Sequence, residues 1–315
     1  MRTYSSCLLA ALAVSAVIAG CDSSGATTQV AAPKQFSGKY PIQVVCTTGM
    51  VADLAKNIGG EHVAVTALMG AGVDPHLYTA SPADVSQLSK ADIILYSGLH
   101  LEGKLAELLG RMGQRKPTTA VAEKIPHEKI ISDAGGAHDP HVWFDVSLWS
   151  VAAESAADAL VAFDPPHAET YRTNLKAYQA RLAELHAYAG EQMRSVPKEQ
   201  RVLVTAHDAF HYFGNAYETE VRGIQGISTT SEAGVRRIRE LVDFLALRKI
   251  KAVFVETSVS DQNIRSLLEG AAARGHTVVI GGRLFSDAMG DEGTPDGTYE
   301  GMVRHNVDTI VKALK

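Results

Sequence analysis

PHAETYRTNLKAYQARLAELHAYAGEQM, residues 166–193, is the stretch that decides the architecture. Tyr171, Leu175, Tyr178, Leu182, Leu185 and Tyr188 recur at spacings of three and four, with polar side chains between them. That is the period of one amphipathic helix, opened by Pro165-Pro166. Close to thirty residues at 1.5 Å each span about 40 Å, the width of a small two-lobed protein. The helix therefore joins two halves of a chain.

On either side the pattern is strand–helix alternation. Before the helix, strands are expected at Ile42–Thr47, His62–Met69 and Ala91–Ser97. Helices are expected at Met50–Ile58, at Pro82–Leu88 with Ser81 as N-cap, and at Leu101–Arg111. After it, strands are expected at Arg201–Thr205, Glu220–Gly226, Ala252–Glu256 and Thr277–Ile280. Helices alternate with them at Ala209–Tyr217, Gly234–Arg248, Asp261–Arg274 and Gly301–Leu314. Such alternation implies α/β units built on parallel sheets. From about Val146 the composition turns to Ala, Glu, Leu, Arg and Lys, as helices require. The boundaries are 39–165 for the N-terminal half, 166–195 for the linking helix and 196–315 for the C-terminal half.

With 46% hydrophobic and 21% charged residues, the 315-residue chain can bury a sizeable core. A net charge of −5 and the lack of a basic stretch argue against nucleic acid and against a membrane-surface patch. The first residues differ in kind. Arg2 precedes an apolar run from Cys7 to Ala19, too short to span a bilayer comfortably but fitting a signal-peptide core. Ile18-Ala19-Gly20-Cys21 resembles the bacterial lipobox, so residues 1–20 are expected to be cleaved and Cys21 acylated. Residues 21–38 then read as a flexible tether. Cys46 would remain alone, a small buried side chain, so the exported protein has no disulfide framework.

Chemistry concentrates in four turn-like segments. Asp74-Pro75-His76 lies between a strand and a helix, where α/β folds place ligands. His138-Asp139-Pro140-His141 precedes Val142-Trp143-Phe144, and His141 is favoured over His138 because it adjoins that apolar run. His207 ends a strand, and Asp287 follows Leu284-Phe285-Ser286 beyond another. Imidazoles with a carboxylate suit a borderline or fairly hard divalent metal. Glu256, at a strand end, either orients a ligand histidine or accepts backbone donors of the helix near Ser260. His207 and His211 are spaced like the histidines of a zinc-protease helix, but the acid beside His207 is Asp208 rather than Glu, and the pair follows a strand. A zinc metallohydrolase using His207 and His211 is the alternative, and a surface adhesin a third reading. No nucleophile–base pair, P-loop or Rossmann glycine fingerprint is present.

These segments, with Leu284-Phe285-Ser286-Asp287-Ala288-Met289-Gly290 and Gly297-Thr298-Tyr299, resemble the metal-specific solute-binding proteins of bacterial ABC importers. These are the helical-backbone receptors of the cluster A-I, or adhesin-type, group. The resemblance covers the whole mature chain in order. It implies two pseudo-symmetric α/β lobes bridged by one long rigid helix. One Mn²⁺ or Zn²⁺ ion would be held between the lobes by His76, His141, His207 and Asp287. It also implies a monomer, lipid-anchored outside the cytoplasmic membrane, that hands the ion to an ABC permease and ATPase and makes or breaks no bond. The zinc-dedicated branch carries a long His- and acid-rich loop before the second ligand, whereas residues 126–136 here offer only His127 and a few acids. Asp287 as the fourth ligand points to the manganese or mixed branch. The Irving–Williams order still favours zinc at such a site in vitro. Ligand histidines must be neutral, so metal affinity is expected to fall as pH drops through their range.

Overall fold

The computed structural model describes residues 35–133 and 135–315. The expected signal peptide, Cys21 and the tether up to residue 34 lie outside the described residues. The N-terminal half runs β1 (Ile42–Cys46), α1 (Gly49–Gly59), β2 (Val63–Ala67), α2 (Pro82–Lys90), β3 (Ile93–Tyr96), α3 (Ala106–Gly113) and β4 (Thr118–Ala120). Two helices follow, α4 (Val146–Phe163) and α5 (Ala168–Arg194). The C-terminal half runs β5 (Val202–His207), α6 (His211–Tyr217), β6 (Glu220–Gln225), α7 (Val235–Arg248), β7 (Ala252–Glu256), α8 (Gln262–Ala273), β8 (Val279–Leu284) and α9 (Tyr299–Leu314).

Every pairing among these strands is parallel. The first sheet has the order β2-β1-β3-β4. In the second half β5 pairs with β6 and β7 with β8, and β5 lies alongside β7. The strands are apolar on both faces because helices cover both. Val44 and Cys46 of β1 face one core while Val45 faces another, against Leu88, Leu109 and Met112. In the second half Val202, Val204 and Ala206 face α7 and α8, while Leu203 joins the central core.

That central core is continuous from Ile42 to Leu314 and is organised by α4 and α5. The buried stripe of α5 is Tyr171, Tyr178, Leu182, Leu185, Ala189 and Met193, and the helix touches α1 of one half and α9 of the other. Each large side chain so buried contributes about 1.5–3 kcal/mol. At 27 residues α5 is the expected bridge, preceded by a short 3₁₀ turn at Pro165–His167. Helix α4 is long and apolar enough to cross a membrane by length and composition, yet Trp149, Ala152, Ala156 and Leu160 are core residues.

Local signals set most boundaries. Ser81 accepts from the amide of Asp84, whose carboxylate returns to the Ser81 amide, a complete capping box with Pro82 at the first position of α2. Strand β4 was not expected from the sequence, and two expected elements have clearly different bounds. The helix expected at Leu101 begins only at Ala106, because Gly98, Leu99 and His100 all have positive φ. They curl the chain so that buried Glu102 accepts from Thr47, Ser97 and Gly98. The last strand continues to Leu284 through Gly281-Gly282, where α9 packs so closely that a Cβ on Gly282 would lie 2.3 Å from Thr309.

Candidate metal centre

His76, His141, His207 and Asp287 are all buried and converge, with one ligand atom of each within 4.8 Å of the others. His141 Nε2 lies 3.3 Å from His76 Nε2 and 3.4 Å from His207 Nε2. Asp287 reaches both neighbours: Oδ1 is 3.3 Å from His141 Nε2 and Oδ2 is 3.3 Å from His207 Nε2. The Oδ1 approach lacks hydrogen-bond alignment, which leaves a buried carboxylate oxygen with no donor. Metal–nitrogen and metal–oxygen bonds of about 2.0–2.1 Å in a tetrahedron require ligand–ligand edges of about 3.3–3.4 Å. The three edges that meet at His141 Nε2 have that length, while Asp287 reaches His207 with its other oxygen and the remaining separations lie within 4.8 Å.

Each imidazole is aimed by a different device. His76, on the connection from β2 to α2, donates its amide to Asp74 Oδ1 at 2.8 Å. His141 donates its amide to Asp139 Oδ1 at 3.0 Å, and its ring Nδ1 lies 2.7 Å from the same oxygen. His207, the last residue of β5, donates its amide to Glu256 Oε1 at 2.9 Å and its Nδ1 to Oε2 at 2.5 Å. A carboxylate on Nδ1 fixes the tautomer and turns Nε2 toward the centre. Of the two roles open to Glu256, the contacts show the one on His207.

Asp139 was not singled out by sequence reasoning. The signal was present: Asp-Pro-His occurs twice, and in both copies the aspartate closes an Asx turn onto the histidine amide. His138 instead pairs through Nδ1 with Ser132 Oγ at 2.9 Å. His211 turns to Asp139 Oδ2 at 3.3 Å and Asp208 at 3.6 Å, so it does not join His207 as a metalloprotease pair would.

Packing groups the residues three and one, not two and two as their positions in sequence suggest. Residues 139–144 are built onto the C-terminal half. Tyr212 donates to the Asp139 carbonyl at 2.9 Å, Trp143 Nε1 to the Ser286 carbonyl at 3.0 Å, and Tyr299 to the Trp143 carbonyl at 2.6 Å. Phe144 stacks on Phe210 with ring centroids 4.2 Å apart. His141, His207 and Asp287 thus sit on one block, and His76 approaches from another.

The charges follow from these contacts. Burial alone would lower the pKa of His207, but Glu256 and Asp287 outweigh it and raise it well above the ordinary value. The same contest, won by Asp139 and Asp287, raises His141. Burial pushes the Asp287 carboxyl up, yet His207 and His141 hold it well below the usual range. Burial likewise pushes Asp139 up, but His141 and His211 bring it down to about 2. His76 is the exception: burial dominates and takes it down to about 4.

Comparison with known proteins shows the family of the chain. The family model described as zinc-uptake complex component A, periplasmic, matches residues 44–313. The chain is 52% identical over 280 residues to the manganese-binding lipoprotein MntA of Bacillus subtilis, covering 89% of this chain and 92% of that one. It is 31% identical over 292 residues to a manganese ABC transporter substrate-binding lipoprotein, PsaA of Streptococcus anginosus, covering 89% and 92%. Among solved structures, the periplasmic zinc-binding protein TroA of Treponema pallidum superimposes with a TM-score of 0.86 at 49% identity, over 88% of this chain and 99% of that one.

Proposed function

The chain belongs to the zinc-uptake complex component A family, and from that premise we propose that His76, His141, His207 and Asp287 are the ligands of its cargo, one Mn²⁺ or Zn²⁺ ion. Family members are metal-binding substrate receptors of ABC importers, not enzymes, and this protein is such a receptor. It captures the ion outside the cytoplasm and passes it to a permease without covalent chemistry.

One observation carries the ligand assignment. Three imidazole nitrogens and a donorless carboxylate oxygen meet in a buried space, and the three edges at His141 Nε2 have the length that a tetrahedral metal site requires. Buried polar atoms without partners are rare, and a cation satisfies all four at once. The full assignment adds a cleaved segment at 1–20, acylated Cys21, a tether over 21–38, two lobes at 39–165 and 196–315, and action as a monomer.

Elemental analysis of protein purified without added metal tests the cargo, with one manganese or zinc ion per chain expected. His76→Ala and Asp287→Ala should each lose most of that metal. Wild-type metal content in both variants would refute the ligand set.

A further inference from the structure

The two Asp-Pro-His turns differ in one respect. In the second, Asp139 spends its carboxylate on His141 and His211. In the first, Asp74 uses Oδ1 for the His76 amide and Oδ2 for Thr229, whose hydroxyl donates to it at 2.6 Å. Thr229 belongs to the C-terminal half, on the connection from β6 to α7, and is 8% exposed. The bond joins residues 155 apart in sequence.

Its place matters because His76 is the ligand that does not belong to the block of His141, His207 and Asp287. The segment carrying it leaves β2 at Leu68 and Met69, which donate to the Cys46 and Thr47 carbonyls, and ends where Tyr78 donates to Asp84 at 2.7 Å. Those anchors lie in the N-terminal half. Thr229 ties the middle of the segment across to the half that holds His141, His207 and Asp287. Its own loop is braced by Gln225 Nε2 on the Ser231 carbonyl at 3.1 Å and by Ser228 Oγ, 2.9 Å from Thr230 Oγ1. Outside this bond a polar groove of about 340 Å³ opens between the halves, lined by Asp74, Leu77, Thr229, Glu232 and Ser258.

We propose that the Thr229–Asp74 hydrogen bond is a clasp that holds His76 against the three-ligand block and so sets the rate at which the metal leaves. Thr229 and Asp74 are positioning residues, acting on the ion through the backbone of His76. When the 226–234 loop withdraws, His76 loses its tie to the block and the ion is left on three ligands. The proposal rests on the ligand assignment above.

The test is metal release from the full chain loaded with Zn²⁺ or Mn²⁺, followed by stopped-flow mixing with excess chelator. Thr229→Val keeps the side chain's shape and removes the donor, and should speed release about tenfold, as expected for one hydrogen bond to a charged group. Thr229→Ser restores the hydroxyl and should restore slow release. In an Asp74→Ala background, Thr229→Val should add no further acceleration, because the partner is already gone. Unchanged release in Thr229→Val overturns the clasp, and so does equally fast release in Thr229→Ser. Additive effects in the double variant overturn it as well. His76→Ala, run alongside, separates the failures. If it retains wild-type affinity, the ligand assignment falls; if it loses affinity while Thr229→Val releases normally, only the clasp does.

Discussion

Glu256 grips His207 at two points: Oε1 accepts the histidine's own amide at 2.9 Å, and Oε2 lies 2.5 Å from its ring Nδ1. The grip fixes both the backbone and the ring, so His207 can present only Nε2 to the centre. Partners of this kind are worth about 10–100-fold in metal affinity. Glu256→Ala should fall in that range, with Glu256→Gln between it and wild type because the amide can accept at only one of the two points. Chelator competition measures this, and wild-type affinity in both variants would remove Glu256 from the site.

His207 and His76 should differ in what they do for the metal-free fold. His207→Ala leaves Glu256 fully buried and without its imidazole. Stranding one member of a buried pair costs about 3–5 kcal/mol, which lowers Tm on the order of ten degrees. His76→Ala strands no carboxylate, so its metal-free Tm should fall less. Calorimetry with chelator present distinguishes them; equal losses would contradict the buried His207–Glu256 pairing.

Metal binding should release protons and weaken as pH falls. His141 and His207 have raised pKa values and so hold protons above the ordinary histidine value of 6.5, whereas His76 stays neutral down to about 4. Asp287, well below 3.8, stays ionised throughout. The ion must displace up to two protons, so affinity should drop by up to about a hundredfold per pH unit below the raised values. Calorimetric titrations in buffers of different ionisation enthalpy count the protons. An affinity that is flat from pH 8 to 6 would show that the imidazoles do not ligate.

The metal-free protein should respond in the opposite sense. A raised histidine pKa contributes stability fully present below the unfolded value of 6.5 and lost as pH rises through the folded one. A depressed aspartate contributes stability present above 3.8 and lost as pH falls through its folded value. His76, depressed to about 4, acts the other way and costs stability as pH falls below 6.5, so the site stabilises the metal-free fold most near pH 6.5 and less towards pH 8. Saturating metal at a thousandfold over Kd adds about 4 kcal/mol. The gain in Tm on adding metal should thus be larger at pH 8 than at pH 6, by differential scanning calorimetry; the reverse order would overturn the charge assignment.

Much of this was legible before the fold was known. The period of α5, the Ser81 cap and the alternation of strands with helices are short-range signals, and they emerged within a few residues of their expected bounds. The run Gly98-Leu99-His100 was not, because its positive φ values answer to the burial of Glu102 against Thr47, 55 residues away. The extension of β8 to Leu284 depends on α9 closing over Gly281 and Gly282. Asp139 looked like an ordinary turn residue, since its second role needs His141 and His211 on either side of it in space.

By itself the sequence determined the α/β class, the bridging helix and the residue types able to hold a divalent metal, because periodicity and side-chain chemistry are local properties. The tertiary structure alone decided which carboxylate serves which imidazole, that His141 joins the C-terminal block through Trp143 and Ser286, and that Asp74 is tied to Thr229. Those partners lie 49, 143 and 155 residues apart. Hydrogen bonds hold only near 3 Å and in line, so no spacing in the chain could have named them.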